Sequence, residues 1–436
     1  MRVLEHSSSQ GSTPAVPTPG ARTGPLRALV ITGSVGAGHN GAAFELVRRL
    51  AARGVEADCR DYLDALPRRY RLLLRDGYEF TAGRTPWAFE WLFRSEERES
   101  LVRSLTLHLC RSAAGELARW VGGDHDVVVT TFPFAAQTLG MLKEDGTLTA
   151  PAVCYLTDPA PHRLWVHPRL DAHLTVTGAT AAEGSARYGV PMAAAGPLAP
   201  AAFGERPDPA VRAALRAEFG VPPERRMALL VTGSLGLGDV MSAVRALRAA
   251  EDTVPVVLCG RNERLRQRIA ALPGVVALGW RTDVPALMAA ADVLVHNAGG
   301  LSLTEAMVAG LPAVSYEVLS GHGRANAATL AKAGLAPWPR DPEQLSLALA
   351  RQAARGRVHL APLPEHRQAA AVVAELARRR REQGPHEQGP HEPAPTREGA
   401  RLPGLRQAGR LRLPRRRPAA GTEALTEPAA SAGRIS

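Results

Sequence analysis

The chain has 436 residues, 45% of them hydrophobic and 22% charged, with 53 Lys and Arg against 42 Asp and Glu and a net charge of +11. That length is sufficient for two hydrophobic cores, and no apolar run of roughly 18 residues is present that would span a bilayer as a helix. The cysteines, Cys59, Cys110, Cys154 and Cys259, form no C-x-x-C pair, which argues against a structural zinc site or a disulfide framework and makes them core residues, while the positive charge favours a membrane surface, a nucleic acid or a phosphorylated ligand as partner.

Residues 1–25 are polar and rich in Pro, Gly and Ser, without the apolar core of a secretory signal; they read as disordered and the protein as cytoplasmic. LRALVIT (26–32) is a continuous apolar run, followed by a glycine-rich turn, by GAAFELVRRLAARG with helical spacing and a closing Gly54, and by VEADCRD. This is a βαβ start. Next comes YLDALPRRYRLLLRDGYEFTAGRTPWAFEWLFRS (62–95), which gathers eight aromatic residues, Trp87 and Trp91 among them, and six arginines in a chain that is 5% aromatic. Rings flanked by cations suit a membrane interface carrying anionic lipid; the alternative is a helical subdomain packed by the rings, with its arginines solvated. DVVVTTFP, PAVCYLTD and AHLTVTG follow as buried strands, each closed by a polar or Pro/Gly signal.

After a linker near 196–209 the unit restarts with MALLVTGSLGLG, a helix through VMSAVRALRAA, strands at VPVVLCG, VVALGW and ADVLVHNAGG, and the helix LSLTEAMVAG. The alternation predicts an α/β protein: two Rossmann-like doubly wound domains, 26–200 and 201–381, facing a central cleft, the second ending in a return helix. Ligands of such folds sit at the carboxyl ends of the strands. From 382 to 436 the chain is poor in aromatics, repeats itself as EQGPHEQGPHE and carries nine Arg against six Glu, so it reads as a disordered basic tail. Its stretch 401–417, with seven Arg and no acid, is either solvated or a weak contact for anionic lipid or nucleic acid.

The first turn, GAGHNG (36–41), matches G-x-G-x-x-G, with Asp58 or Asp61 about twenty residues on, as a dinucleotide site requires. It also sets His39 and Asn40 beside Gly38 at the start of a helix. An imidazole at the mouth of a cleft suits acid–base work better than cradling a pyrophosphate; the plainer alternative is that the glycines serve packing and His39 lies on the surface. In the second domain Gly233 and Ser234 occupy the TGSLGLG turn, and HNAGGLSLTEA sets Gly299 and Gly300 ahead of Leu301, Ser302 and Glu305 at a helix N-terminus. Free amides and the helix dipole there favour a diphosphate, although Ser302-x-x-Glu305 is equally a capping box. Around it stand CGRN with Arg261 and Asn262, LGWRTD with Trp280 and Arg281, and SGHGRAN with His322, Arg324 and Asn326.

This ordered series resembles the nucleotide-sugar domain of GT-B glycosyltransferases, and most of all the family of monogalactosyldiacylglycerol synthases and MurG-type N-acetylglucosaminyltransferases, over about 27–380. TDPAPHRLWVHPRLD (157–171) is similar to the galactolipid synthases' stretch in which an Asp leads into a His, a Trp and a His-Pro, here Asp158, His162, Trp165 and His167-Pro168. GSVGAGHNGAA is similar to their glycine turn ending in a histidine, here His39. The resemblance implies a hexosyltransferase that moves a hexose from a UDP-sugar co-substrate to a diacylglycerol-like lipid, inverting, with no metal or other cofactor, peripheral on the inner face of the cell membrane. No nucleic-acid partner is implied.

Carried onto this chain, the family's donor site comprises Gly233, Ser234, Arg261, Asn262, Trp280, Arg281, Gly299, Gly300, Leu301, Ser302, Glu305, His322, Arg324 and Asn326. The diphosphate would lie on the helix N-terminus, Glu305 would accept from the ribose hydroxyls, uracil would rest near Trp280 and Arg281, and Arg261, His322 or Arg324 would offset leaving-group charge. The acceptor side would comprise Gly38, Asn40, His162, Trp165, His167, Trp87 and Trp91. His39 or Asp158 would be the base and the other its orienter. SGHGRAN departs from the Gln- or Glu-containing loop common in the family, which leaves the donor sugar open, as are the acceptor and the oligomeric state. Other classes remain: a UDP-sugar-dependent glycosyltransferase or epimerase acting on a soluble or natural-product substrate, an NAD-dependent oxidoreductase resting on GAGHNG alone, and a catalytically silent membrane-associated protein.

Overall fold

The computed structural model describes residues 24–383 apart from 206, 207 and 299. The tails read as disordered lie outside it, except for residues 24, 25, 382 and 383. A six-stranded sheet is built from β1 (Leu26–Thr32), β2 (Val55–Asp61), β3 (Val127–Thr130), β4 (Ala152–Leu156), β5 (Ala172–Thr175) and β6 (Met192–Ala194), in the order β2-β1-β3-β4-β5-β6. A five-stranded sheet is built from β7 (Arg226–Val231), β8 (Thr253–Leu258), β9 (Val276–Leu278), β10 (Val293–His296) and β11 (Ala313–Ser315), in the order β11-β10-β7-β8-β9. All pairings are parallel; Val30, for example, lies between Cys59 of β2 and Val129 of β3. The strands β3, β4 and β8 are buried along their whole length. Helices cover both faces of each sheet, which is why these strands are continuous apolar runs rather than alternating ones.

The first sheet carries α1 (Ala37–Ala51), α2 (Tyr62–Ala65), α3 (Arg68–Arg84), α4 (Pro86–Glu96), α5 (Leu101–Val121), α6 (Pro133–Glu144) and α7 (Gly178–Tyr188). Then follow α8 (Pro209–Glu218), α9 (Val240–Ala249), α10 (Glu263–Ala270), α11 (Val284–Ala290), α12 (Leu301–Ala309), α13 (His322–Lys332), α14 (Pro342–Arg355) and α15 (Ala369–Gln383). α1 begins four residues ahead of the periodic stretch GAAFEL, so His39 and Asn40 fall within its first turn. Ser100, Asp239 and Asp341 cap α5, α9 and α14 by accepting from backbone amides, the ordinary N-cap chemistry of short polar side chains.

α15 leaves the second domain and packs on the first sheet. Its stripe Ala369, Ala370, Val373, Ala374 and Ala377 is buried with Val30, Leu46 and Val129, a burial contributing roughly 5 kcal/mol. Arg381 fixes the helix end through an ion pair with Asp126 and a bond to the Pro25 carbonyl at 2.8 Å. α15 runs to Gln383, so residues 382 and 383 are helical rather than part of a tail. Of the cysteines, Cys110, Cys154 and Cys259 are buried, but Cys59 is exposed because it lies on the edge strand β2.

In each sheet the strand order reverses beside its first strand, between β1 and β3 in one and between β7 and β10 in the other. Loops leaving neighbouring strands there turn to opposite faces and leave a crevice. The loops after β1, β3 and β4 meet those after β7 and β10 across the gap between the domains. Among the described residues no helix is long and apolar enough to cross a membrane.

Candidate active site

A cleft of about 1160 Å³ lies between the two domains and is lined from both. On the first-domain wall, His39 of α1 sits against Phe132 and Trp165, with ring centroids 5.1 and 5.8 Å away. Its Nδ1 lies 2.8 Å from the Thr131 carbonyl oxygen. A carbonyl only accepts, so Nδ1 carries the hydrogen and Nε2 keeps its lone pair. Burial lowers the His39 pKa from its ordinary 6.5, partly opposed by the nearby Asp158 carboxylate. Asp158 follows β4. Its Oδ2 accepts from Trp165 Nε1 at 3.3 Å and its Oδ1 from Asn326 Nδ2 at 3.1 Å. His322, the first residue of α13, reaches the same place from the second domain, edge-on to Phe89 at 5.6 Å, and burial lowers its pKa against the pull of Asp158.

The second-domain wall is made of glycine-dependent turns. Gly260 has φ +60°, and a Cβ there would stand 2.5 Å from the Gly233 and Ser234 carbonyl oxygens, so the turn after β8 lies directly on the turn after β7. Glu305 of α12 faces the cleft, and burial pushes its carboxyl up to about 8. Trp280 is 52% exposed beneath the Arg261 guanidinium, which stacks 4.7 Å from its ring centroid. Arg281 lines the cleft and is paired with Asp283 through Nε at 2.7 Å. Ser302 also lines it. The N-cap of α12 is Gly300, with no side-chain cap, so Ser302 and Glu305 do not form a capping box; both lie inside the helix, too late to reach its first amides. Gly299 lies outside the described residues.

The glycines of the first turn have a use that dinucleotide binding does not explain. A Cβ on Gly41 would meet Leu301 Cδ2 at 2.9 Å, and one on Gly38 would touch Leu301 Cβ at 3.7 Å. The turn lets α12 of the second domain approach α1, and Leu301 is a contact between domains as well as part of the cleft wall.

Five of the residues expected in the cleft do not line it. Asn40 turns its Oδ1 to the Thr32 hydroxyl at 2.8 Å. Asn262 caps α10 and donates to the Leu235 carbonyl at 3.3 Å. His167 is packed against Gly140, where no side chain intervenes, and accepts from the Arg169 amide at 3.3 Å. Arg261 lies over Trp280 rather than in the cleft, and Arg324 faces a separate side groove of about 680 Å³, 4.0 Å from Glu90. Asn326 does line the cleft, but it is 1% exposed and its amide group is bonded to Asp158, Ala160 and Ala298. His162 lines the cleft but is also tied to the Phe93 carbonyl at 3.1 Å and to Glu97 at 3.3 Å.

The aromatic-rich stretch divides its roles. Tyr62 is core, Phe89 and Phe93 line the cleft, and Phe80, Trp87 and Trp91 protrude, 52%, 75% and 58% exposed. Between α3, α4 and α5 the cleft continues as an apolar chamber walled by Leu73, Leu74, Leu92, Leu105 and Leu109. Three wall residues carried no signal in the sequence. Glu96 accepts from Thr106 at 2.9 Å inside this chamber, and burial pushes it up to about 7. His296 Nδ1 and Asn297 Oδ1, at the end of β10, are buried with no hydrogen-bond partner. Asn297 lines the cleft, and with its Nδ2 held by the Leu237 carbonyl at 2.7 Å its oxygen is left as an unused acceptor.

Residues 39–192 match the family model of monogalactosyldiacylglycerol (MGDG) synthase, and residues 228–354 that of group 1 glycosyl transferases. A processive diacylglycerol beta-glucosyltransferase of Bacillus mycoides is 25% identical over 235 residues, 50% of this chain and 58% of that protein. The chain thus spans little more than half the length of the curated relatives it matches. The spinosyn rhamnosyltransferase SpnG, solved with thymidine diphosphate, superposes with a TM-score of 0.51 at 15% identity over 83% of this chain and 97% of its own. MurG of Acinetobacter baumannii has a TM-score of 0.47 at 17% identity over 83% and 96%. Its two domains are matched in turn by two glycosyltransferase family models, the first that of monogalactosyldiacylglycerol synthase, and both are set in the two-sheet GT-B architecture, so the chain is a GT-B glycosyltransferase.

Proposed function

We propose that the protein transfers a hexose from a UDP-sugar to the hydroxyl of a diacylglycerol-like lipid at an anionic membrane surface, with inversion and without a metal. The observation that carries this reading is the continuity of the cleft: an apolar chamber in the first domain opens onto His39 and Asp158, and these face the polar turns of the second domain. A soluble sugar acceptor has no use for a chamber walled by leucines, whereas an acyl chain does. The exposed Trp87, Trp91 and Leu101, on two of the helices that wall it, suit a bilayer interface.

In this mechanism the UDP diphosphate lies against the uncapped N-terminus of α12, where three free amides and the helix dipole hold negative charge. Glu305 accepts from the ribose hydroxyls, and Trp280 carries the base. Asn297 Oδ1 has no use for a phosphate oxygen, since both are acceptors, and takes a hydroxyl of the donor. The acceptor oxygen attacks the anomeric carbon as the bond from that carbon to the diphosphate oxygen breaks, and the proton passes to His39 Nε2. Asp158 has donors on both oxygens, which makes it the poorer base and the better electrostatic partner for the imidazolium. His322 faces the departing diphosphate as a neutral hydrogen-bond donor.

Thermal unfolding with UDP, UDP-glucose, UDP-galactose, UDP-N-acetylglucosamine, GDP and NADH tests the donor half, because a ligand of the native state raises its stability by mass action. Stabilisation by UDP compounds that is lost in Glu305→Ala supports it. Stabilisation by NADH alone would overturn it.

A further inference from the structure

We infer that Asn326 is a positioning residue that holds Asp158 in its working orientation only while the two domains are closed on each other. What Asp158 then does rests on the glycosyl-transfer reading above; the clamp itself rests on geometry. Asn326 lies in the second turn of α13 and is 1% exposed. Its Nδ2 donates to Asp158 Oδ1 and to the Ala298 carbonyl, both at 3.1 Å, and its Oδ1 accepts from the Ala160 amide at 2.9 Å. A carboxamide has two N–H hydrogens and one oxygen. Both hydrogens are engaged by protein and the oxygen accepts one bond, so Asn326, although it lines the cleft, has no N–H left for a donor sugar.

The three partners straddle the cleft: Ala298 and Asn326 belong to the second domain, Asp158 and Ala160 to the first. The rest of α13 is fastened the same way. The Gly321 amide donates to Glu90 of α4 at 2.6 Å, and the Thr329 hydroxyl to Glu183 of α7 at 3.2 Å. Hydrogen bonds of this length do not survive a domain opening of more than about 1 Å. On opening, Asp158 Oδ1 loses its donor and the carboxylate keeps only the longer bond from Trp165. Domain closure is thereby read out at the reacting centre, so the acceptor proton can be taken only when both substrates are enclosed.

Two variants test this. Asn326→Asp preserves size and the acceptor for Ala160 but sets a second carboxyl against Asp158, which also faces His39 from α1, His322 from α13, and His162 and Trp165 from its own segment. Two carboxylates so close cannot both ionise freely and share a proton. With UDP-glucose and diacylglycerol vesicles, kcat at alkaline pH should fall by about 100-fold while KM for UDP-glucose stays within about 2-fold, and activity should recover as pH is lowered to where the pair holds its proton. A kcat within about 3-fold of wild type, or a loss shared by kcat and KM with an unchanged pH profile, would overturn the inference. Small-angle scattering of wild type and Asn326→Ala, each with UDP, needs no transfer activity. The variant should have the larger radius of gyration; equal radii would overturn the clamp. Should the wild type transfer nothing to lipid, that result counts against the glycosyl-transfer reading, and the scattering pair still decides the clamp.

Discussion

Replacing Trp87 and Trp91 together by serine removes two rings that protrude from α4, one of the three helices around the apolar chamber, 75% and 58% exposed. At about 200 Å² per indole the exposed area is roughly 270 Å², and full burial of it in a bilayer contributes at most ~7 kcal/mol at ~25 cal/mol/Å². Interfacial rings enter only part-way, and half of that value corresponds to a loss on the order of 100-fold in membrane partitioning. The fold should be indifferent, because exposed side chains of this kind change stability by about 0.5 kcal/mol or less. Co-sedimentation with vesicles of mixed anionic and zwitterionic lipid, run beside thermal unfolding, measures both quantities. Unchanged sedimentation of the double variant would refute the interfacial role, as would a loss of binding that tracks a large fall in Tm.

His39→Ala should lower kcat by roughly 10²- to 10⁴-fold and leave UDP-induced thermal stabilisation intact; in the wild type the acid limb of kcat should lie below the ordinary histidine value of 6.5, because burial lowers this pKa and the base works only when neutral. Burial holds Glu305 up to about 8, so it is mostly protonated at neutral pH, and hydroxyls that donate to its carboxylate must lower that pKa on binding. UDP should therefore release a proton and bind more tightly as pH rises toward about 8, which calorimetry in buffers of different ionisation enthalpy detects. Gly260→Ala places a methyl 2.5 Å from the Gly233 carbonyl at a φ of +60°; denaturant unfolding should show a loss of about 2 kcal/mol or more, together with weaker UDP binding.

The sheet architecture was legible because parallel strands covered on both faces leave continuous apolar runs such as LRALVIT and VPVVLCG, and these recur as β1 and within β8. Bringing His39, Asp158 and His322 together was legible only through motif order, since nothing local in three separate loops encodes their meeting. The failures share one physical cause. A short polar residue after a strand looks the same whether it caps a helix or greets a ligand: Asn262 and Asn40 are used inside the fold, while Asn297, two residues before a turn that drew attention, lines the cleft with its oxygen unpartnered. Asn326 and Leu301 serve contacts between domains, which no single-domain pattern reveals. Glu96 becomes unusual only because three helices fold leucines around it.

The most direct measurement is transfer itself: purified protein, vesicles containing diacylglycerol and anionic lipid, each UDP-hexose in turn, and mass-spectrometric and NMR analysis of the lipid fraction. A hexosyldiacylglycerol with the anomeric configuration inverted relative to the donor, formed without added metal and abolished in His39→Ala, is the predicted result. Sugar transferred only to soluble acceptors, a product that retains the donor's configuration, or an undiminished rate in His39→Ala would contradict the account.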